Sequence, residues 1–260
     1  MPEPLLERFH QGDRLALARL LSRAARGERL GEILAGIPGP SKPSRVVAIT
    51  GSGGVGKSTL IGKLIELLRR QGQTVAVLAC DPQSPLTGGA LLGDRFRMPV
   101  RPDDEGVFIR SLAAAPGSGA VAGHLRVLVR ILEAYGFDVI LIETAGAGQG
   151  DTAVRELVDC TVLLLQPETG DDLQWQKAGL LEVADLIVIH KADLPQAEQA
   201  EAQVRSMLSI PGGQPVPVVR VSAKTGEGVE ALWTAIAGQP LRRAGPVTAG
   251  RELLRLARTF

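Results

Sequence analysis

A chain of 260 residues, 45% apolar and 22% charged, supports one large folded domain, or one domain with short extensions, and excludes a disordered or fibrous protein. Its net charge of +1, from 29 Lys and Arg against 28 Asp and Glu, supplies no electrostatic footprint for nucleic acid or an anionic membrane. No run reaches the roughly 18 apolar residues of a membrane span, and the opening MPEPLLERFHQGD puts acids where a secretory leader needs basic and then apolar residues, so a cytoplasmic location is expected.

Leu5, Leu6 and Phe9 make one short helical stripe; Leu15, Leu17, Leu20 and Leu21 make another, with Gly12 between. They predict an N-terminal helical extension that ends in the linker GIPGPSKPS, residues 36–44. From Arg45 the pattern alternates. RVVAIT (45–50) reads as a strand, KSTLIGKLIELLRRQG as a helix closed by Gly72, and TVAVLAC (74–80) as the next strand. VFIRSLA (107–113) is an extended or loop segment of undetermined type. GHLRVLVRILEAYG reads as a helix, and FDVILIE (137–143), CTVLLLQ (160–166), ADLIVIH (184–190) and VPVVRVS (216–222) as strands. GDDLQWQKAGLLEV, QAEQAEAQVRSML and GVEALWTAIAG are helical, and RELLRLARTF is a short amphipathic tail. Continuous apolar strands separated by helices predict an α/β fold, a mainly parallel sheet covered on both faces. The expected organisation is an extension and linker over 1–40, the α/β domain over 41–240 and a short helical tail over 241–260. Cys80 and Cys160, at the edges of apolar runs, read as buried reduced thiols. The C-terminal excess of arginine (Arg242, Arg243, Arg251, Arg255, Arg258) reads as a solvated face.

GSGGVGKST follows the first strand directly and opens a helix. Gly51, Ser52, Gly53, Gly54, Val55 and Gly56 turn the backbone tightly, and the helix that starts at Lys57, Ser58 and Thr59 adds N–H donors for a phosphate. Lys57 is placed to reach the outer phosphates and Ser58 to offer a hydroxyl to Mg²⁺. A magnesium-bound triphosphate also needs acids at neighbouring strand ends: Asp81 and Glu143 end strands, and Asp94 sits in the loop TGGALLGDRFRM. TAGAG, 144–148, offers a backbone able to move with the last phosphate. His10, His124 and His190 are widely spaced, the cysteines form no C-x-x-C pair, and no G-x-S-x-G is present, so phosphoryl transfer to water is the expected chemistry.

HKAD, residues 190–193, stands where a guanine-binding loop usually reads Asn-Lys-x-Asp. Asp193 can accept from the N1–H and 2-amino group of guanine, a donor pair that adenine lacks. The stem of Lys191 can lie along the base, and Ser222, Ala223 and Lys224, after the last strand, can present N–H groups to guanine O6. An Asn at 190 would brace the loop and donate toward the purine; neutral His can donate from one nitrogen and accept at the other. The alternative is a strand-end histidine with no nucleotide role. If the ring titrates near 6.5, binding should weaken toward pH 6.

With GSGGVGKSTL, DPQSPLTGGALLGDRFRM, FDVILIETAGAGQGD, GDDLQWQKAGLLEVADLIVIHKAD and VSAKTGEGVEALW together, the chain resembles the MeaB/ArgK-type GTPases over roughly residues 10 to 237. These P-loop proteins are chaperones of adenosylcobalamin-dependent acyl-CoA mutases, with methylmalonyl-CoA mutase the usual client. The resemblance implies a GTPase, slow without its partner, whose Mg²⁺·GTP and GDP states gate cofactor loading and protect the mutase, with no cobalamin site of its own. It implies phosphate and metal roles for Lys57 and Ser58, an acidic metal and water shell of Asp81, Asp94 and Glu143, and a second switch holding Gln149 and Asp151. Gly170 to Lys177 would be a third switch, with Asp171, Gln174 and Lys177 at its characteristic positions. HKAD departs from the family pattern, as do the loop GSGGVGKST and AGAGQGD. The family's long C-terminal dimerisation arm is short here, which puts a homodimer in question. Competing readings are a nucleotide-gated binding protein without hydrolysis, a metal-delivery GTPase, which would need clustered His or Cys, and a ParA/MinD-like ATPase, whose signature Lys would fall at Ser52.

Overall fold

The computed structural model describes residues 4–82, 103–114, 120–144, 154–167, 184–209 and 216–244. Among these residues, seven strands form one sheet in which every pairing is parallel: β1 (Arg45–Gly51), β2 (Val75–Pro82), β3 (Val107–Ala114), β4 (Val139–Glu143), β5 (Cys160–Leu165), β6 (Leu186–His190) and β7 (Val218–Val221). Their order is β3-β2-β4-β1-β5-β6-β7. The chain leaves β1 toward one edge and later returns to build the other, so the carboxyl end of β1 opens at a topological switch point, where such sheets place a ligand crevice.

Alternation along β1 divides the core. Val46 and Ala48 face α1 (Pro4–His10), α2 (Arg14–Ala25), α3 (Leu30–Gly36) and α5 (Ala120–Tyr135). Val47 and Ile49 face α4 (Lys57–Arg70) and α7 (Val229–Ala237). The helix α6 (Ala197–Leu208) covers Leu163, Leu165, Ile187 and Ile189. Strands buried on both faces explain the uninterrupted apolar runs.

The N-terminal helices share this core. Asp13 caps α2, its Oδ1 accepting from the N–H groups of Leu15 (2.7 Å) and Ala16 (3.1 Å). Leu17, Leu20 and Leu21 are wholly buried, each worth roughly 1.5–3 kcal/mol; Leu15, the remaining member of the predicted stripe, faces solvent. Phe9 and Phe137 lie on either side of Tyr135, each with a 5.5 Å centroid separation from it. Arg14 donates to the carbonyl of Val107 (2.5 Å) and sits over the Phe108 ring. VFIRSLA, undetermined from sequence, is the edge strand β3, in register with β2 from Val75↔Val107 to Pro82↔Ala114.

One expectation is corrected. Arg242 and Arg243 are not a solvated face. Arg242 Nε donates to the Asp159 carbonyl (2.9 Å) and its guanidinium pairs with Asp185. Arg243 Nη1 meets Glu133 Oε1 at 2.9 Å, with both side chains largely buried. Buried Asp159 accepts from the N–H of Val46 (2.9 Å) and of Arg243 (3.1 Å), fastening this segment under the amino end of β1. Carboxylates 57 to 110 residues away in sequence hold these arginines, a relation the local pattern does not carry. The tail RELLRLARTF and the predicted helix GDDLQWQKAGLLEV lie outside the described residues, as do Arg251, Arg255 and Arg258. Among the described residues no helix is long and apolar enough to cross a membrane. Cys80 and Cys160 are buried thiols that form no disulfide, and burial pushes Cys160 up to about 12.

Candidate nucleotide-binding site

The strand β1 delivers Gly51 against β5, where a Cβ would stand 2.6 Å from the Leu164 carbonyl oxygen; only glycine fits, and its φ is 147°. Ser52, Gly53 and Gly54 carry the chain outward, and Val55 plugs it back into the core. Gly56, at φ 100°, is the N-cap of α4. The N–H groups of Lys57, Ser58 and Thr59 therefore begin a helix whose partial positive end faces the loop. Thr59 is exposed, whereas Lys57 and Ser58 are buried.

The ammonium of Lys57 folds over the loop, donating to the carbonyls of Gly51 (2.9 Å) and Ser52 (3.1 Å). Ser58 Oγ donates to Glu143 Oε1 at 2.8 Å, and both side chains are buried. Register puts Glu143 there: it pairs with Ile49 of β1 and Ala79 of β2, at the strand ends beside the loop. A serine hydroxyl and a carboxylate in this position are the hard oxygen donors that Mg²⁺ prefers. Asp81 continues β2 two residues past Ala79, so its backbone lies at the same end of the sheet. Thr144, read from sequence only as the start of a mobile stretch, is tied to β1: its N–H donates to Ile49 O and its Oγ1 to Thr50 Oγ1, both at 3.1 Å.

Two places across the sheet from β1, β6 ends at His190, and Lys191 follows at φ 55°, a left-handed turn that redirects the chain toward β7. The Ala192 N–H donates to Val221 O at 3.1 Å. Asp193 Oδ1 then accepts from Ser222 Oγ at 2.6 Å, while that hydroxyl accepts from the Thr225 N–H at 3.3 Å. The Ser222 hydroxyl holds the Asp193 carboxyl below its ordinary range, aided by Lys224, whose ammonium lies 3.8 Å from Oδ2. Ser222 and Ala223 are buried and Lys224 is exposed. The arrangement gives a fixed, ionised acceptor.

His190 joins the two halves. Its Nδ1 lies 2.7 Å from Val55 O, and a Cβ on Gly56 would be 2.5 Å from its Cε1. The histidine at the strand end is thus tied to the phosphate loop. The expected titration near 6.5 is corrected: burial lowers the pKa, and a bond in which the ring donates survives protonation. Sequence reading placed Gln166 only as the last residue of a strand, with no part in the site. Because Leu165 pairs with Ile189, Gln166 follows level with His190 at the carboxyl end of β5; strand register is the signal that could have found it. Asp94, Gln149, Asp151, Gln174 and Lys177 lie outside the described residues, so the third switch and part of the acidic shell are not placed here.

Comparison with known proteins agrees with this geometry. The family described as methylmalonyl Co-A mutase-associated GTPase MeaB matches residues 22–252. A relative from Pyrococcus abyssi is 42% identical over 243 residues, covering 91% of this chain and 75% of its own. The GTPase ArgK of Escherichia coli K12 is 42% identical over 193 residues, 72% of this chain and 58% of its own. The crystal structure of a LAO/AO transport system kinase superposes with a TM-score of 0.69 at 28% identity, covering 98% of this chain and 82% of that one. The chain belongs to the MeaB/ArgK-type family of methylmalonyl Co-A mutase-associated GTPases.

Proposed function

We propose that the chain binds Mg²⁺·GTP across the loop 51–58, hydrolyses it to GDP and phosphate, and uses the two states to gate cofactor loading and protection of an adenosylcobalamin-dependent acyl-CoA mutase. Methylmalonyl-CoA mutase is the first client to test. The observation that carries the reading is that one loop touches both halves of the site, Ser58 with Glu143 and Val55 with His190.

On this reading Lys57 exchanges the carbonyls of Gly51 and Ser52 for β- and γ-phosphate oxygens, joined by the N–H groups from Gly53 to Thr59. Ser58 and Glu143 hold the cation, with Asp81 and Asp94 completing its oxygen and water shell. Bound there, Mg²⁺ supplies charge neutralisation on the phosphate oxygens. Glu143, so close to Ser58, orders water rather than acting as a free strong base, which fits slow turnover. Asp193 takes the guanine N1–H and 2-amino group, Lys191 covers the base, and Ser222 to Lys224 present N–H groups to O6. Gln174 and Lys177 enter from the family resemblance as groups that complete the hydrolytic site when the client orders their segment.

The test is phosphate release in single-turnover and steady-state assays with GTP, alone and with purified corrinoid mutases. Slow release that a mutase accelerates is expected. Tight GTP binding without release, with or without a mutase, would leave a nucleotide-gated binding protein instead.

A further inference from the structure

The bond between His190 and Val55 fixes where the imidazole hydrogen sits. A main-chain carbonyl only accepts, so at 2.7 Å Nδ1 is the donor. The ring is buried, and Nε2 has no hydrogen-bond partner among the described residues. Desolvation, with the nearby Lys191 charge on the same side, outweighs the Val55 carbonyl and Asp193, which favour a charged ring, and holds the pKa below its ordinary value. Nε2 therefore carries a lone pair. The ring cannot turn freely, because its Nδ1–Cε1 edge occupies the space where a side chain at Gly56 would lie, 2.7 Å and 2.5 Å from that position.

An asparagine amide has two chemically different ends. It can brace a loop with one and donate to a purine with the other. The imidazole in this tautomer has a single N–H, and the phosphate loop takes it. Guanine N7 is an acceptor, and two acceptors form no bond. We infer that His190 is a positioning residue for the phosphate loop that leaves guanine N7 unread, so that the base site recognises guanine by its N1–H, 2-amino and O6 edge and accepts 7-deazaguanine nucleotides as equals. The inference rests on the proposed GTP site and adds a tolerance at position 7 that the usual Asn would not give.

The measurement is the dissociation constant of GTP and of 7-deaza-GTP, which carries C–H in place of N7, for the wild type and for His190→Asn with saturating Mg²⁺. The wild type should bind the two within twofold. His190→Asn should favour GTP by about threefold to tenfold, the value of one neutral hydrogen bond. A penalty of fivefold or more for 7-deaza-GTP in the wild type, or no difference between the two proteins, overturns the inference. Nitrogen-15 spectra of the histidine ring with GDP bound give a readout that a merely structural role would not predict: a neutral ring protonated at Nδ1 is expected, and a proton on Nε2 is the contrary result. GTP binding accompanied by an N7 penalty would sink this inference alone, whereas no GTP binding at all would sink the nucleotide site with it.

Discussion

At the phosphate end the candidate ligand groups are mostly main-chain amides of one contiguous run, 51–58; the base end is organised by side chains, with Asp193 as the acceptor, Ser222 holding it and His190 bracing the phosphate loop, from two loops about 30 residues apart. The first half depends on backbone shape. Gly51 has Leu164 O where a Cβ would be, and Gly56 has the His190 ring. The second depends on which atoms donate and accept, and different residue types can meet such a requirement. That is why the loop 51–58 matches a short motif, while position 190 departs from the usual Asn and still makes the cross-loop contact, with a different atom.

The comparison breaks first at Lys57. Its ammonium is buried on the loop carbonyls, and Lys57→Ala should cost GTP about 2–5 kcal/mol, the range for truncating one partner of a buried charged pair. Titration calorimetry reads this directly; a folded variant with unchanged affinity would mean that the phosphate half is misassigned.

Next in size is Asp193, the ionised acceptor held by Ser222. Asp193→Ala should weaken GTP roughly a hundredfold and ATP far less, because a site built for a substrate's N–H groups discriminates through them. Competition between the two nucleotides decides the matter, and equal ATP and GTP affinity in the wild type would remove the base half altogether.

The smallest effect concerns stability rather than binding. The folded pKa of His190 is depressed, so the unfolded chain binds more protons as pH falls past about 6.5. Its contribution is fully present above that value and is lost as pH falls through the lower, folded pKa. As pH falls from 7.5 to 5.5 the wild type should lose more stability than His190→Asn in urea unfolding. Parallel losses in the two proteins would show that the ring is not held neutral by the fold.

Much of this was legible in the sequence, for physical reasons that differ by residue. Strands buried on both faces betray themselves as apolar runs, and Gly51 to Ser58 carries its own context of strand and helix. The pairing of β3 was not legible, because an edge strand of mixed composition is fixed by its neighbour β2 rather than by its own pattern. Nor were the partners of Arg242 and Arg243, which come from β-strand entrances and from α5. The identity of His190 was plain, but the direction of its pKa was not: desolvation depends on what packs around the ring, and the reference value near 6.5 gave the wrong window.

The packing of α2 on α5 also sets a schedule for synthesis. Leu17, Leu20 and Leu21 leave the ribosome about a hundred residues before the helix that covers them, an interval of roughly 5–20 s at ordinary elongation rates. During that time α1, α3 and one face of β1 are at hand to cover that apolar stripe, but α5 is not. The burial of this stripe is complete only when residues 120–135 are in place.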